Sequence, residues 1–273
     1  MHEESALPRH ERERGRGRRD GDRRQRERDA RPRAEKRRDE DEERKEGEPR
    51  REDARQWFAG EHGAVYWGHM GLWAKWVLPH LVDFACRGDA INEERARLVP
   101  QASGRVLEIG VGSGLNLRYY DPTRVEAVVA IDPSPELLQR AEERRGGARV
   151  PVELQVASGE RLPFDDESFD SAVVTYTLCS VSDPVVVLRE IRRVLRAGAP
   201  LHFLEHGIAD DAATRRWQRR ITPAWSLAGG GCRLDRDVRA ELAESGLAIE
   251  ELVAEQREGL KWLSFTYEGR ARR

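Results

Sequence analysis

The stretch from Arg105 to Gly114, R-V-L-E-I-G-V-G-S-G, decides how the rest of the chain is read. Val106, Leu107 and Ile109 form a short apolar run that leads into glycines at 110, 112 and 114. Such a run stopping at a glycine cluster predicts a buried strand that turns tightly at its carboxyl end. Glycine admits positive φ there and lets the backbone approach a ligand closely. The L-N-L-R-Y-Y that follows predicts a helix starting near Leu115, giving a strand, glycine loop, helix unit. In open α/β sheets the carboxyl ends of parallel strands are where ligands bind.

A second apolar run, Val125 to Ile131, ends in Asp132, 18 residues beyond Gly114. That interval suits a carboxylate accepting hydrogen bonds from ribose hydroxyls. Two charge-assisted bonds of this kind contribute about 1.5–3 kcal/mol each. The competing reading is that Asp132 only opens the turn D-P-S-P ahead of a helix. Nicotinamide-binding loops use G-x-G-x-x-G, whereas here the glycines alternate strictly and Glu108 precedes the first by two. E-I-G-V-G-S-G followed by I-D-P-S resembles the class I S-adenosylmethionine-dependent methyltransferases. The resemblance implies that Gly110, Gly112 and Gly114 hold the methionine end of S-adenosyl-L-methionine and that Asp132 takes the ribose. Glu108 is then expected to orient the loop or to reach the cofactor's ammonium group.

Two further segments carry the resemblance, and four more narrow it. Ala157 to Phe164, A-S-G-E-R-L-P-F, resembles the G-D-A-E-x-L-P-F of the type 11 group, whose acid contacts the adenine amino group. Ser158 stands in that place here, and a hydroxyl accepts the bond without charge assistance. The Gly159 N–H and apolar packing are the other expected adenine contacts. R-E-I-R-R-V-L-R-A-G-A follows the family's R-E-x-x-R-V-L-R-P-G-G, and the likeness spans roughly residues 101 to 268. T-L-C-S-V (177 to 181), L-E-H (204 to 206), P-A-W (223 to 225) and G-G-C-R-L (230 to 234) are similar to the animal microsomal alkyl-thiol methyltransferases and their bacterial relatives. The animal enzymes carry an N-terminal membrane-anchoring segment, where this chain has a shorter tryptophan-rich stretch.

The chain has 273 residues, 38% hydrophobic and 36% charged, with a net charge of −2. The charge is concentrated in residues 1–55, where Leu7 is nearly the only large apolar side chain. Such a segment cannot offset its ordering entropy by burial and is expected to be disordered. Its arginines suit nucleic acid, but interleaved Glu and Asp neutralise them and favour a solvated tail. Cys86, Cys179 and Cys232 lie far apart with no C-x-x-C pair. This gives neither metal-site spacing nor a disulfide framework and suits a reducing cytoplasm. No apolar stretch reaches about 18 residues, so no membrane span is expected, and no signal core opens the chain.

Three parts follow: the tail 1–55, a helical N-terminal cap 56–100 and a core 101–273. Within the cap, Trp57, Tyr66 and Trp67 precede a nearly all-round apolar helix pattern from Leu72 to Cys86, which itself holds Trp73 and Trp76. A cap over the cofactor, a substrate lid and an interfacial helix making peripheral membrane contact through 57–86 are all compatible with it. In the core, strands at 105–109, 125–131, 150–156, 169–176 and 199–204 alternate with helices capped by Ser134 and Asp183. A further helix over 210–220, a loop over 222–232 and a helix capped by Asp235 come next. Strands at 248–254 and 262–267 close the chain. The fold class expected is α/β: a Rossmann-like doubly wound sheet, mostly parallel. The family resemblance adds a C-terminal antiparallel hairpin.

Candidate chemistry sits at strand carboxyl ends: Tyr176 and Cys179 after the fourth strand, Glu205 and His206 after the fifth. His206 could deprotonate an acceptor; equally, Glu205-His206 could form a structural hydrogen-bonded corner. Cys179 and Cys232 read as packing residues, and His62, His69, His80 and His202 lack ligand spacing, so no metal is assigned. The function implied is methyl transfer to a small, apolar acceptor, namely a thiol, a quinone or phenol, or a lipid amine. The rivals are a nicotinamide-dependent oxidoreductase and a non-catalytic cofactor-binding protein with an RNA- or partner-binding arm.

Overall fold

In the computed structural model the described residues are 80, 83 and 86–273. The chain divides into units Met1–Glu61 and His62–Arg273, and every described residue belongs to the second. The charged tail and the tryptophans from 57 to 76 lie outside the described residues.

Helix α1 (Asp89–Leu98) leads through a short 3-10 turn into β1 (Gly104–Ile109). Then come β2 (Val125–Asp132), α2 (Pro135–Arg145), β3 (Val152–Val156), β4 (Ser171–Thr175), α3 (Pro184–Val194) and β5 (Pro200–His206). Helices α4 (Ala212–Ala228) and α5 (Val238–Ser245) precede β6 (Ala248–Gln256) and β7 (Phe265–Arg272). The strands form one sheet in the order β3-β2-β1-β4-β5-β7-β6. β1 to β5 pair in parallel, while β7 is antiparallel to both β5 and β6. The chain moves from β1 out to β3 and then restarts at β4 on the other side of β1. The strand order therefore reverses between β1 and β4, and their carboxyl ends open the crevice where such sheets hold ligands.

The strands are apolar because both faces are covered. Leu107, Ile109, Val129, Ile131 and Val174 face one core with Val187, Leu188 and Ile191 of α3. Val106, Val128, Ala130 and Val173 face another with Leu117, Tyr120 and Leu138. The period of two thus sorts one continuous apolar run into two cores. Ser134 caps α2 by accepting from Leu137 N, and Asp183 caps α3 by accepting from Val185 N and Val186 N, as the sequence predicts.

Four expectations need correction. No helix starts near Leu115; only a 3-10 turn, Leu117–Tyr119, forms. Asn116 and Tyr120 turn their polar groups inward to Glu108, and Pro122 disfavours helical backbone at Asp121. The expected loop over 222–232 is mostly helix, since α4 runs through Pro223 to Ala228. Pro223 is exposed, so the donor it lacks is lost on the solvent side, while buried Gln218 anchors the opposite face. Gln218 accepts from Ala209 N and donates to the Gly207 carbonyl. Asp237 caps α5, because Asp235 is paired with Arg233. The last strand starts at Phe265 rather than Trp262 and continues to Arg272, where Arg270 and Arg272 pair with Glu250 across β6. Among the described residues no helix is long and apolar enough to cross a membrane.

Candidate active site

The glycine loop is held against the end of β2. Gly110 N and Val111 N both donate to the Ile131 carbonyl, at 2.9 and 3.0 Å. Gly112 N donates to Asp132 Oδ2 at 2.9 Å, and Ser134 N to Oδ1 at 2.8 Å. The acid and the hairpin that the sequence pairs therefore touch directly. A carboxylate has about four lone-pair sites, so each oxygen keeps room for one ribose hydroxyl. Burial pushes the Asp132 pKa up to about 6, against the pull of those two amides.

The three glycines have different jobs. All are at positive φ, +69° at Gly110, +54° at Gly112 and +81° at Gly114. A Cβ on Gly110 would collide with Thr177, and one on Gly114 would press on Ala141 and Leu117 at 3.0 Å. Gly112 faces open space, its nearest neighbour being the Gly110 carbonyl oxygen at 3.9 Å. Gly110 and Gly114 thus serve close packing, and Gly112 forms the cradle that an added methyl group would fill.

Behind the loop, Glu108 is buried and accepts from Asn116 Nδ2 at 3.0 Å and from the Tyr120 hydroxyl at 2.8 Å. Burial raises its pKa to about 7, more than the two hydrogen bonds lower it. Asn116 Nδ2 also donates to Thr175 Oγ1 at 3.0 Å, while its buried Oδ1 has no partner. An unpaired buried acceptor beside a carboxylate costs about 1–3 kcal/mol unless a donor comes to it. Together with the Gly112 cradle, it fits the ammonium end of the expected cofactor. Asn116 escaped the sequence reading because a single polar residue in L-N-L looks like the solvent face of a helix.

Ala157 N donates to the Asp132 carbonyl at 3.3 Å, which brings the start of the A-S-G-E-R-L-P-F segment to the same edge. Ser158 donates its hydroxyl to Glu160, and Gly159 is packed between Ile109 and Val187. This segment and the R-E-I-R-R-V-L-R motif of α3 grip each other. Arg193 donates to the Phe164 and Leu162 carbonyls at 2.8 and 3.1 Å, and Glu190 accepts from Leu162 N at 2.8 Å. Glu190 and Arg193 also pair at 2.8 Å, so the R-E-x-x-R of α3 is a clip for the L-P-F loop.

Tyr176, Glu205 and His206 are brought together at the ends of β4 and β5. Tyr176 takes φ +52° and lies on the His206 ring, with centroids 4.6 Å apart. Its hydroxyl donates to Glu94 Oε2 of α1 at 2.6 Å, and burial holds its pKa far above the usual phenol value. Glu205 is fully buried and accepts from Thr177 N, Leu178 N and Cys179 N at 2.7, 2.9 and 3.4 Å. Burial still pushes its pKa up to about 8. His206 Nδ1 is buried without a hydrogen-bond partner. His202 is separate, buried within β5, its pKa lowered to about 4 by burial and by nearby arginines.

Sequence spacing suggests no metal ligands, yet donor atoms of Cys179, His206 and Cys232 all lie within 4.8 Å of one another. Cys179 is buried and Cys232 half-buried. Cys232 is held below the ordinary thiol pKa by a hydrogen bond from Cys179, with His206 and the Trp225 indole adding to it. The same contact and burial raise Cys179.

Residues 107–203 match the type 11 family described as a methyltransferase domain. The chain is 38% identical over 172 residues to a human protein named thiol S-methyltransferase TMT1B, covering 59% of this chain and 68% of that one. To human thiol S-methyltransferase TMT1A it is 37% identical over 189 residues, covering 62% and 75%. A phosphatidylethanolamine N-methyltransferase of Cereibacter sphaeroides is 36% identical over 148 residues, 52% of this chain and 72% of that one. Among solved structures, an S-adenosylmethionine-dependent methyltransferase from Mesorhizobium loti superposes with a TM-score of 0.51 at 23% identity, covering 70% and 100% of the two chains. At that identity the likeness is one of fold.

Proposed function

The chain belongs to the S-adenosylmethionine-dependent methyltransferases, and from that premise we propose that it methylates the sulfur of a small, apolar thiol. Asp132, the Gly112 cradle, Asn116 and Glu108 would hold the cofactor. Bound there, S-adenosylmethionine would supply a sulfonium methyl group for in-line displacement, with its sulfur left as a neutral thioether. Placement and exclusion of water can then supply most of the acceleration.

One observation carries the choice of acceptor: the polar atoms at the β4 and β5 ends are already committed. The Tyr176 hydroxyl donates to Glu94, and the Glu205 carboxylate is taken up by three backbone amides. The third candidate, His206, has its ring 4.6 Å from that of Tyr176 and tilted by 57°. Phenols and protonated amines need a base at neutral pH; a thiol with a pKa near 8.5 is already a few per cent thiolate. The names of the two human relatives point the same way. A lipid amine is the second reading, favoured by the phosphatidylethanolamine N-methyltransferase relative. All three cysteines are unpaired, which suits a reducing cytoplasm.

The test is methyl transfer from labelled cofactor to an alkyl thiol, a quinol and phosphatidylethanolamine vesicles in parallel. Label in the thioether is expected. Transfer confined to the quinol or the lipid would reject the thiol.

A further inference from the structure

We propose that Cys179, His206 and Cys232 bind a single zinc ion whose open fourth position takes the acceptor thiol; the second half of this rests on the thiol reading above. The three residues come from separate elements. Cys179 lies in the loop after β4, His206 ends β5, and Cys232 follows α4. Their donor atoms nevertheless converge within 4.8 Å of one another. In a tetrahedral site with Zn–S near 2.3 Å and Zn–N near 2.0–2.1 Å, neighbouring ligands stand about 3.5–3.8 Å apart. Closing the observed trio onto an ion thus requires movement of about 1 Å.

Each ligand is positioned by structure that packing alone does not require. Cys179 is fixed by the Glu205 carboxylate, which gathers the amides of residues 177, 178 and 179. Cys232 is returned to the sheet by a turn of three glycines, two of them at φ +65° and +89°. The next amide, Arg233 N, then donates to the Cys179 carbonyl at 2.7 Å and ties the two cysteine segments together. His206 Nδ1 is buried with no hydrogen-bond partner, a costly arrangement unless a ligand comes to that nitrogen. Two thiolates and an imidazole suit zinc, and three protein ligands with a vacant fourth position are the pattern of zinc sites that act on a ligand. A disulfide would account for the two cysteines but not for the histidine.

The location suits the chemistry. Thr177, two residues before Cys179, packs against Gly110 of the cofactor loop, its hydroxyl 3.4 Å from the Gly110 carbonyl oxygen. A thiol entering the fourth position would release its proton to solvent and bind as thiolate. Its sulfur lone pair forms the new S–CH3 bond, and the broken C–S bond leaves its electron pair on the cofactor sulfur. The product is a neutral thioether, a weak ligand that departs, while zinc keeps its charge and its three protein ligands.

The full chain purified without chelator should carry about one zinc per protomer by mass spectrometry of the metals. After exchange into cobalt(II) it should show sulfur-to-cobalt charge transfer and tetrahedral visible bands, and an alkyl thiol should shift those bands. Cys232→Ser and His206→Ala should each weaken metal binding at least about 100-fold. If wild-type protein that binds cofactor gives no tetrahedral cobalt spectrum, or yields a Cys179–Cys232 disulfide on peptide mapping, the metal site is overturned. Undiminished thiol methylation by metal-stripped protein would overturn the role of zinc and leave the thiol reading standing. A cobalt site that no thiol perturbs, in a protein that methylates a quinol or an amine, would overturn both.

Discussion

Gly110 and Gly112 sit two residues apart, both at positive φ, yet the same added methyl group should cost them unequally. At Gly110 the new Cβ meets Thr177, so Gly110→Ala should lose about 1–3 kcal/mol to the clash, on top of the backbone cost that both positions share, as well as cofactor affinity. At Gly112 the Cβ enters open space, and only the backbone conformation costs, about 1–2 kcal/mol. Gly112→Ala should stay folded and lose cofactor binding; thermal melts alongside calorimetric titration with S-adenosylhomocysteine separate the two outcomes. Asp132 allows a second test, in pH. Its pKa is raised to about 6 by burial, so a proton occupies it in the free protein at lower pH and removes both the charge and an acceptor site. Cofactor affinity should therefore rise as pH increases through about 6, with proton release on binding below that point. For folding the sign is opposite. A raised carboxyl stabilises the folded state fully below its unfolded value near 3.8, and that contribution is gone once pH passes about 6. Asp132→Asn should flatten the pH dependence of binding and weaken it by about 10- to 100-fold, the equivalent of one lost charge-assisted hydrogen bond. An unchanged pH profile in that variant would take the ribose role away from Asp132.

At the scale of elements, the loop after β4 exists because a side chain from β5 replaces a sheet partner for three amides. Glu205→Gln keeps one acceptor oxygen and turns an NH2 toward backbone N–H groups. It should lower the melting temperature by the equivalent of about 1–3 kcal/mol and reduce activity in step with the folded fraction. If instead kcat collapsed with stability unchanged, Glu205 would be acting as a base. The sequence places Glu205 just after a strand but leaves its role as base or corner open, because hydrogen-bond direction has no signature in residue type. Strands β1, β2, β4 and β5 are legible since burial on both faces makes them near-continuous apolar runs. The Ser134 and Asp183 caps are legible since each is local. The course of α4 is not: Pro223 carries a strong breaker signal, and the Gln218 anchor that overrides it depends on tertiary contacts. The extension of β7 to Arg272 is hidden for a similar reason, its charged end being stabilised by arginines paired across strands. Of the site, the glycine hairpin and Asp132 are local motifs and readable. Asn116 and the Cys179, His206 and Cys232 convergence come from residues that only the folded sheet brings together.

For the molecule as a whole, charge is used in two ways. In residues 1–55 almost nothing large and apolar accompanies it, so removing that stretch should leave the melting temperature and cofactor affinity within about 0.5 kcal/mol of the full chain. A larger loss would mean that the arm contributes to the fold. Elsewhere, charge connects distant parts. Asp83 lies ahead of α1, is only 4% exposed, and accepts from Ser113 of the glycine loop and from Arg144 of α2, the latter at 2.8 and 3.1 Å. Arg87 and Arg140 join it, so one carboxylate ties the N-terminal approach to the cofactor loop and to α2. Burial alone would raise its pKa, but the hydrogen bonds from Arg144 and Ser113 and the charges of Arg144 and Arg87 outweigh it and hold it below the usual aspartate value. A lowered carboxyl stabilises the folded state above the unfolded pKa near 3.8 and loses that contribution as pH falls through the folded value. The arginines remain partly solvated, so the effect is well short of a fully buried pair, and Asp83→Asn should cost about 1–2 kcal/mol at pH 7. In acid the gap between variant and wild type should close, because both then carry a neutral side chain at that position. Melting curves taken from pH 7 down into the range below 3.8 measure it directly, and a gap that does not narrow at all over that range would show that Asp83 acts through packing rather than charge.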